Sequence, residues 1–129
     1  MDPKRLAHYA LTPRGAELAR RLADALGGDL FLPAALADRH AARPFDGLLE
    51  LVAGSFHRYD GHLFVVAAGI AVRAVAPHLR SKERDPAVVV LDSEGRFALS
   101  LLSGHLGGAN ALAREAAAVT GGIPVITTA

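Results

Sequence analysis

The chain has 129 residues, of which 51% are hydrophobic and 21% are charged, a composition typical of one folded domain with a sizeable core. Its 14 Lys and Arg residues nearly balance 13 Asp and Glu residues, which argues against a protein that binds nucleic acid by neutralising phosphates. Because there is no cysteine, disulfides, thiolate nucleophiles and cysteine-ligated metal centres are excluded.

The ends of the chain and its apolar runs bear on where the protein acts. Residues 1–5 lack the apolar segment of a signal peptide. No apolar stretch reaches the roughly 18–20 residues that a membrane span requires, so we expect no membrane partner. These features predict a cytoplasmic protein with a single domain over residues 1–129.

Short apolar runs alternate with helical patterns along the whole chain. This alternation predicts an α/β domain, a Rossmann-like three-layer sandwich in which helices flank a mostly parallel sheet. The first strand is expected over residues 6–11. A helix follows, with Thr12 as its N-cap and Pro13 at its first position, and Gly27-Gly28 ends it.

The middle of the chain is less regular. Its expected elements are a weak strand over 30–33, a surface connection over 34–45, a helix over 45–56 and a strand over 63–67. Gly69 then opens a helix expected over residues 70–79.

The last third contains the most apolar strand. Ala87–Leu91 has no polar position, as expected of a central strand covered on both faces. Residues 96–101 alternate large side chains after a turn, which predicts an antiparallel hairpin partner. A glycine-rich loop over 103–108, a helix over 109–119 and a strand over 123–127 complete the chain.

Ligands bind to open parallel sheets outside the carboxyl ends of the strands. Four features are expected at that edge: Thr12-Pro13, Gly69 with its neighbours, the loop over 103–108, and Thr127-Thr128. An antiparallel strand before the loop would instead send the loop to the opposite edge, unless the chain crosses over.

The glycine-rich loop is the most informative segment. Gly104, Gly107, Gly108 and His105 precede a helix N-terminus, whose amides and dipole attract anions. The alternative is that the glycines only make a tight turn while His105 caps it. The patterns G-x-G-x-x-G and G-K-[ST] are absent, so nucleotide binding is poorly supported. Asn110 is either a buried residue that forms structural hydrogen bonds or a donor to a ligand carbonyl.

Other polar residues have both a functional and a structural interpretation. Arg73 could bind a carboxylate, or it is an ordinary solvated charge. Asp92 ends a buried strand, but turn chemistry already explains it. His57 and His62 flank a turn without a third ligand, so no metal site is expected there. The pattern G-x-S-x-G is absent, so no serine triad is predicted.

Four segments of the chain are together similar to the N-terminal domain of the CbiG family, the cobalt-precorrin-5A hydrolases of anaerobic cobalamin biosynthesis. They are GIAVR at 69–73, DPAVVVLD at 85–92, LLSGHLGGAN at 101–110 and PVITTA at 124–129. The similarity is specific over residues 64–129 and weaker over residues 1–60.

The resemblance implies hydrolysis of the δ-lactone of an anionic cobalt-corrinoid, with release of acetaldehyde and formation of cobalt-precorrin-5B. Cobalt would arrive inside the substrate, so no resident cofactor is implied. His105 is a candidate general base, and the amides of 104–108 would stabilise an oxyanion. The candidate substrate-binding residues are Thr12, Gly69, Arg73, Ser103, Gly104, Gly107, Gly108, Asn110, Thr127 and Thr128.

Members of that family continue into a middle region and a C-terminal domain, which are the partners that the resemblance implies. An alternative function follows, in which this domain holds the corrinoid and another part of the full-length protein performs the chemistry. An apolar face left open by missing domains would favour a homodimer.

Overall fold

A computed structural model of the chain describes residues 4–128. Its strands are β1 (Leu6–Ala10), β2 (Asp29–Pro33), β3 (Arg43–Phe45), β4 (Gly61–Val65), β5 (Ala87–Leu91), β6 (Phe97–Leu102) and β7 (Ile123–Val125). Its helices are α1 (Pro13–Leu26), α2 (Ala34–Ala37), α3 (Leu48–Ser55), α4 (Ala68–Val75) and α5 (Ala109–Thr120).

The strands form one sheet in the order β3-β2-β1-β4-β5-β6-β7. All neighbouring strands are parallel except β5 and β6, which are antiparallel. Helices α1 and α5 pack on one face of the sheet, and α3 and α4 pack on the other. The predicted Rossmann-like architecture and its antiparallel hairpin are therefore confirmed.

Local sequence signals explain several helix ends. The Thr12 side-chain oxygen accepts a hydrogen bond of 3.0 Å from the backbone N–H of Gly15, as an N-cap does. Helix α4 ends at Val75, earlier than expected, and a 3-10 turn that contains Pro77 follows it. Proline lacks the N–H that a longer helix would need, which accounts for the difference.

The segment 34–45, expected to be a surface connection, contains α2 and the edge strand β3. Phe45 at the end of β3 is half-buried and packs against the apolar cluster under α3. Pro44 is tolerated because an edge strand has one side without a pairing neighbour. Within residues 4–128, no helix combines the length and the apolar character needed to cross a membrane.

The strand directions correct one expectation about the site. Because β6 runs antiparallel to β5, and β7 runs parallel to β6, the segments after β6 and β7 lie at the amino ends of the other strands. Thr12 and Gly69 stay at the carboxyl edge, whereas the loop 103–108 and Thr128 lie at the opposite edge. A five-residue strand separates the two edges by about 17 Å. The four features do not meet.

Candidate functional site

A crevice of about 560 Å³ opens at the carboxyl edge, beyond the ends of β1, β4 and β5. It lies where the strand order reverses between β1 and β4, the usual ligand position in such sheets. Most of its lining is apolar, with Leu11, Val65, Val66, Ala67, Ala68, Ile70, Val90, Phe97 and Leu99. Thr12, Asp92 and Ser93 supply its polar side chains.

The fold already uses two of these polar groups. Thr12 caps α1, and the Asp92 carboxylate accepts a hydrogen bond of 2.8 Å from the backbone N–H of Phe97. Burial raises the pKa of Asp92, but hydrogen bonds from backbone N–H groups, those of Phe97 and Arg96 foremost, outweigh burial and lower it overall. Asp92 is therefore an ionised turn residue, and it is the only carboxyl or imidazole group among the described residues that line the crevice.

Gly69 and Arg73 do not contribute side chains to this crevice. A Cβ added at Gly69 would meet nothing within 4 Å, so packing does not require glycine there. Arg73 lies in the last turn of α4, exposed, and about 7.5 Å along the helix axis from its first residue. Helix α4 thus carries Arg73 away from the carboxyl edge, where the helix begins.

At the amino edge, the glycine-rich loop makes a tight turn into α5. The backbone N–H of Ala109 donates to the carbonyl of Ser103 at 2.9 Å. A Cβ at Gly107 would clash with the Ser103 side chain, and one at Gly104 would lie 2.8 Å from Oδ1 of Asn110. Close packing therefore requires at least two of the glycines, whatever the loop binds.

Asn110 ties three segments together beneath this loop. Its Oδ1 accepts a hydrogen bond of 2.7 Å from the Ser100 hydroxyl on β6. Its Nδ2 donates to the Thr128 hydroxyl oxygen at 3.1 Å. With 7% of its surface exposed, Asn110 is a buried residue whose hydrogen bonds connect these segments, and Thr128 is one of its two partners. Thr127 is exposed beside it.

The side chain of His105 is exposed at the amino edge, and no hydrogen bond to it occurs among the described residues. It lines a small cavity of about 250 Å³ together with Lys82, Ser103, Gly104, Leu106 and Thr128. A second, larger cavity of about 640 Å³ at this edge also has Leu106 in its lining. Its charged side chains belong to Lys4, Arg5, Asp60, Arg84 and Asp85.

The cations of these two cavities are not among the site residues predicted from the sequence. The signal for them was present in the run Arg80-Ser81-Lys82-Glu83-Arg84, which places three cations at alternate positions just before β5. Only the antiparallel hairpin brings that run beside the glycine-rich loop.

The histidine pair flanking the turn has structural roles. His62 is fully buried, with Nε2 donating to the carbonyl of Phe56 at 2.9 Å. Burial lowers the pKa of His62 to about 4. The Nε2 atom of His57 donates a hydrogen bond of 2.9 Å to the backbone carbonyl of His78. Among residues 4–128, no group of three or more His, Asp or Glu side chains could hold a metal ion.

Known proteins resemble this chain over most of its length. Residues 50–129 match the family described as Cobalamin synthesis G N-terminal. A cobalt-precorrin-5A hydrolase of Salmonella typhimurium is 46% identical over 130 residues, which cover 100% of this chain and 37% of that protein. A cobalt-precorrin-5A hydrolase of Priestia megaterium is 39% identical over 129 residues, 95% of this chain and 34% of that protein.

A solved structure shares the fold. The crystal structure of a cobalamin biosynthesis protein G homolog from Sulfolobus solfataricus superposes with a TM-score of 0.72 at 24% identity. The match covers 95% of this chain and 36% of that one. The chain therefore spans about a third of the length of the relatives that it matches.

Proposed function

The chain belongs to the cobalamin synthesis G N-terminal family, and from that membership we propose that it is the first domain of a cobalt-precorrin-5A hydrolase. The observation that carries this proposal is the 46% identity to a relative of that name over 100% of the chain. The substrate would be an anionic cobalt-corrinoid, and its cobalt would be part of the substrate. We propose a cytoplasmic enzyme that acts together with the remaining domains of a longer protein.

The proposed reaction site is the glycine-rich loop at the amino edge. Two features support this choice over the carboxyl-edge crevice. His105 is a titratable side chain without a hydrogen-bond partner among the described residues, whereas Asp92 in the crevice is engaged in its own turn. Lys82 lines the same cavity as His105 and would stabilise negative charge there.

The chemistry proposed for these groups begins with a water molecule. His105 takes a proton from the water, whose oxygen adds to the lactone carbonyl, while backbone amides of 104–108 and Lys82 stabilise the oxyanion. The ring C–O bond breaks, which gives a carboxylic acid that ionises and an alkoxide on the two-carbon fragment, whose electron pair forms the C=O bond of the aldehyde as the C–C bond breaks. The two-carbon fragment then departs as acetaldehyde, and the electron pair of the broken C–C bond stays on the macrocycle, which takes up a proton.

A direct test is anaerobic incubation of the 129-residue chain with cobalt-precorrin-5A, with acetaldehyde and retained corrinoid measured in the same sample. Acetaldehyde release would place the catalytic groups in this domain. The same assay on the full-length protein compares His105→Ala with His40→Ala. Loss of turnover by about 100-fold or more is expected only for His105→Ala, the usual size of general acid–base catalysis. Equal turnover in both variants would contradict the role of His105.

One observation favours the alternative, a corrinoid-binding domain without catalytic groups of its own. No side chain among the described residues orients His105, as a general base normally requires. This alternative predicts corrinoid retained on the isolated chain without acetaldehyde. It also predicts that His105→Ala in the full-length protein changes turnover little, while Arg73→Ala weakens substrate binding.

A further inference from the structure

Two loops meet at the amino edge of the sheet. The first, residues 79–86, leads into β5 and carries Arg80, Lys82 and Arg84. The second is the glycine-rich loop. They are in contact, because a Cβ added at Gly107 would lie 3.2 Å from the backbone carbonyl oxygen of Asp85.

The loop 79–86 is held in place by the buried side chain of Asp85. Its two carboxylate oxygens accept hydrogen bonds of 2.9 and 3.2 Å from the backbone N–H of Arg80. The backbone N–H of Asp85 donates to the carbonyl of Ser81 at 2.9 Å. The backbone positions of Lys82 and Arg84, which lie between these anchors, are therefore well defined.

Leu106 is common to two cavities, each of which also has a cation in its lining. Lys82 lines the smaller cavity with His105, Arg84 lines the larger one, and Leu106 lines both. Neither cation forms an ion pair among residues 4–128, where the ion pairs involve other arginines. Asp60 in the larger cavity accepts a hydrogen bond of 2.7 Å from the backbone N–H of Arg5.

The Leu106 side chain common to the two cavities is apolar and 68% exposed. An exposed leucine that shares its cavities with two unpaired cations matches a ligand with an apolar body and carboxylates on its rim. We infer that Lys82 and Arg84 bind two peripheral carboxylates of the macrocycle while Leu106 contacts its apolar edge. This inference rests on the proposed function and adds to it the residues that orient the substrate over His105.

The binding test uses uroporphyrin, a tetrapyrrole with eight carboxylates, titrated into the 129-residue chain and followed by its fluorescence. Lys82→Ala and Arg84→Ala are each expected to weaken binding about fivefold, the size of one exposed charge pair. Arg96→Ala is the matched control, because Arg96 is an exposed arginine at the opposite edge, paired with Glu94 at 2.8 Å. It should leave the affinity unchanged.

Three results would overturn the inference. They are no binding of uroporphyrin to the unchanged chain, an affinity of Lys82→Ala and Arg84→Ala equal to that of the unchanged chain, and a loss in Arg96→Ala as large as in those two variants. A loss common to all three variants would show only the effect of net charge. Octaethylporphyrin, which lacks carboxylates, should bind all variants alike.

A second measurement separates this inference from the proposed function. In the full-length protein, both alanine variants are expected to raise KM for cobalt-precorrin-5A about fivefold with little change in kcat. If the unchanged protein releases acetaldehyde and both variants keep its KM, the inference fails and the function stands. If the unchanged protein releases no acetaldehyde, the function fails, and the uroporphyrin titration still decides the anion site.

Discussion

The hydroxyl of Tyr9 lies 2.8 Å from Nδ1 of His62, and the two side chains are buried on the adjacent strands β1 and β4. The His62 Nε2 donates to the Phe56 carbonyl, so its Nδ1 accepts a hydrogen bond from the Tyr9 hydroxyl. The Ser55 hydroxyl, 3.2 Å away, donates to the Tyr9 oxygen in turn. This chain of hydrogen bonds joins the end of α3 to the middle of the sheet.

Removing the Tyr9 hydroxyl should destabilise the fold. Tyr9→Phe leaves Nδ1 of His62 and the Ser55 hydroxyl without partners in the core, at an expected cost of about 1–3 kcal/mol in the free energy of unfolding. Denaturant unfolding measures this cost. Tyr59→Phe is the control, because its partner Asp29 is only half-buried and can be hydrated. Equal costs for the two variants would contradict a special role for the buried hydrogen bonds.

Stability should fall as the pH falls from about 6.5 towards about 4. In the folded protein burial lowers the pKa of His62 from 6.5 to about 4, so only the unfolded chain binds a proton in this window. The stabilisation is fully present above pH 6.5, and about 3 kcal/mol of it is lost by pH 4. Burial lowers the pKa of His8 as well, which adds to the loss.

Urea unfolding at several pH values tests this dependence. In His62→Gln the slope of stability against pH should be smaller, whereas His40→Gln should keep the slope of the unchanged chain. An identical slope in His62→Gln would show that other groups cause the acid sensitivity.

Substitution by alanine should have opposite effects on stability at Gly107 and at Gly69. Gly107→Ala places a Cβ against Ser103 and should cost about 1–3 kcal/mol by overpacking. Gly69→Ala adds a Cβ in open space on α4 and should leave stability unchanged or raise it by up to about 1 kcal/mol. Thermal unfolding of the two variants distinguishes these outcomes, and a stable Gly107→Ala would argue against a tightly packed loop.

The hydrogen bonds of the Asn110 side chain should stabilise the folded protein. Asn110→Ala leaves the buried Ser100 hydroxyl without its acceptor and frees the segment that contains Thr128. A loss of about 1–3 kcal/mol is expected from denaturant unfolding. Thr127→Ala, at an exposed neighbouring position, should change stability little. If Asn110→Ala weakened corrinoid binding without loss of stability, Asn110 would be a ligand donor instead.

The isolated chain should self-associate through the face of β6 and β7 opposite helix α5. Phe97 and Ile123 are paired across these strands and are 50% and 60% exposed. Leu99 and Val125 continue the same face. Exposed apolar surface of this kind drives association. Sedimentation should show dimers that Phe97→Ser and Ile123→Ser dissociate, and a monomer without these substitutions would contradict the expectation.

Most of the fold followed from local patterns. Thr12-Pro13 marks the start of α1 because capping is a contact within one turn of helix. The all-apolar run of β5 predicted a buried strand, and the alternation of large side chains in β6 predicted its hairpin partner. Both predictions were possible because the spacing of apolar residues within one segment shows which of its side chains are buried. Segment 34–45 was harder, because α2 has only four residues and β3 only three. Elements of that length carry no measurable period.

The sequence by itself determined every strand of residues 4–128 except β3, together with the long helices, the glycine-rich loop and the resemblance to one family. Only the tertiary structure decided which of these features share a site. The antiparallel β6 moved His105 and Thr128 to the edge opposite Thr12 and brought Lys82 and Arg84 beside the loop. The edge at which a loop lies relative to Thr12 depends on how β5 and β6 join β1 and β4 in one sheet, and those pairings connect residues distant along the chain. Local patterns report only what each segment buries.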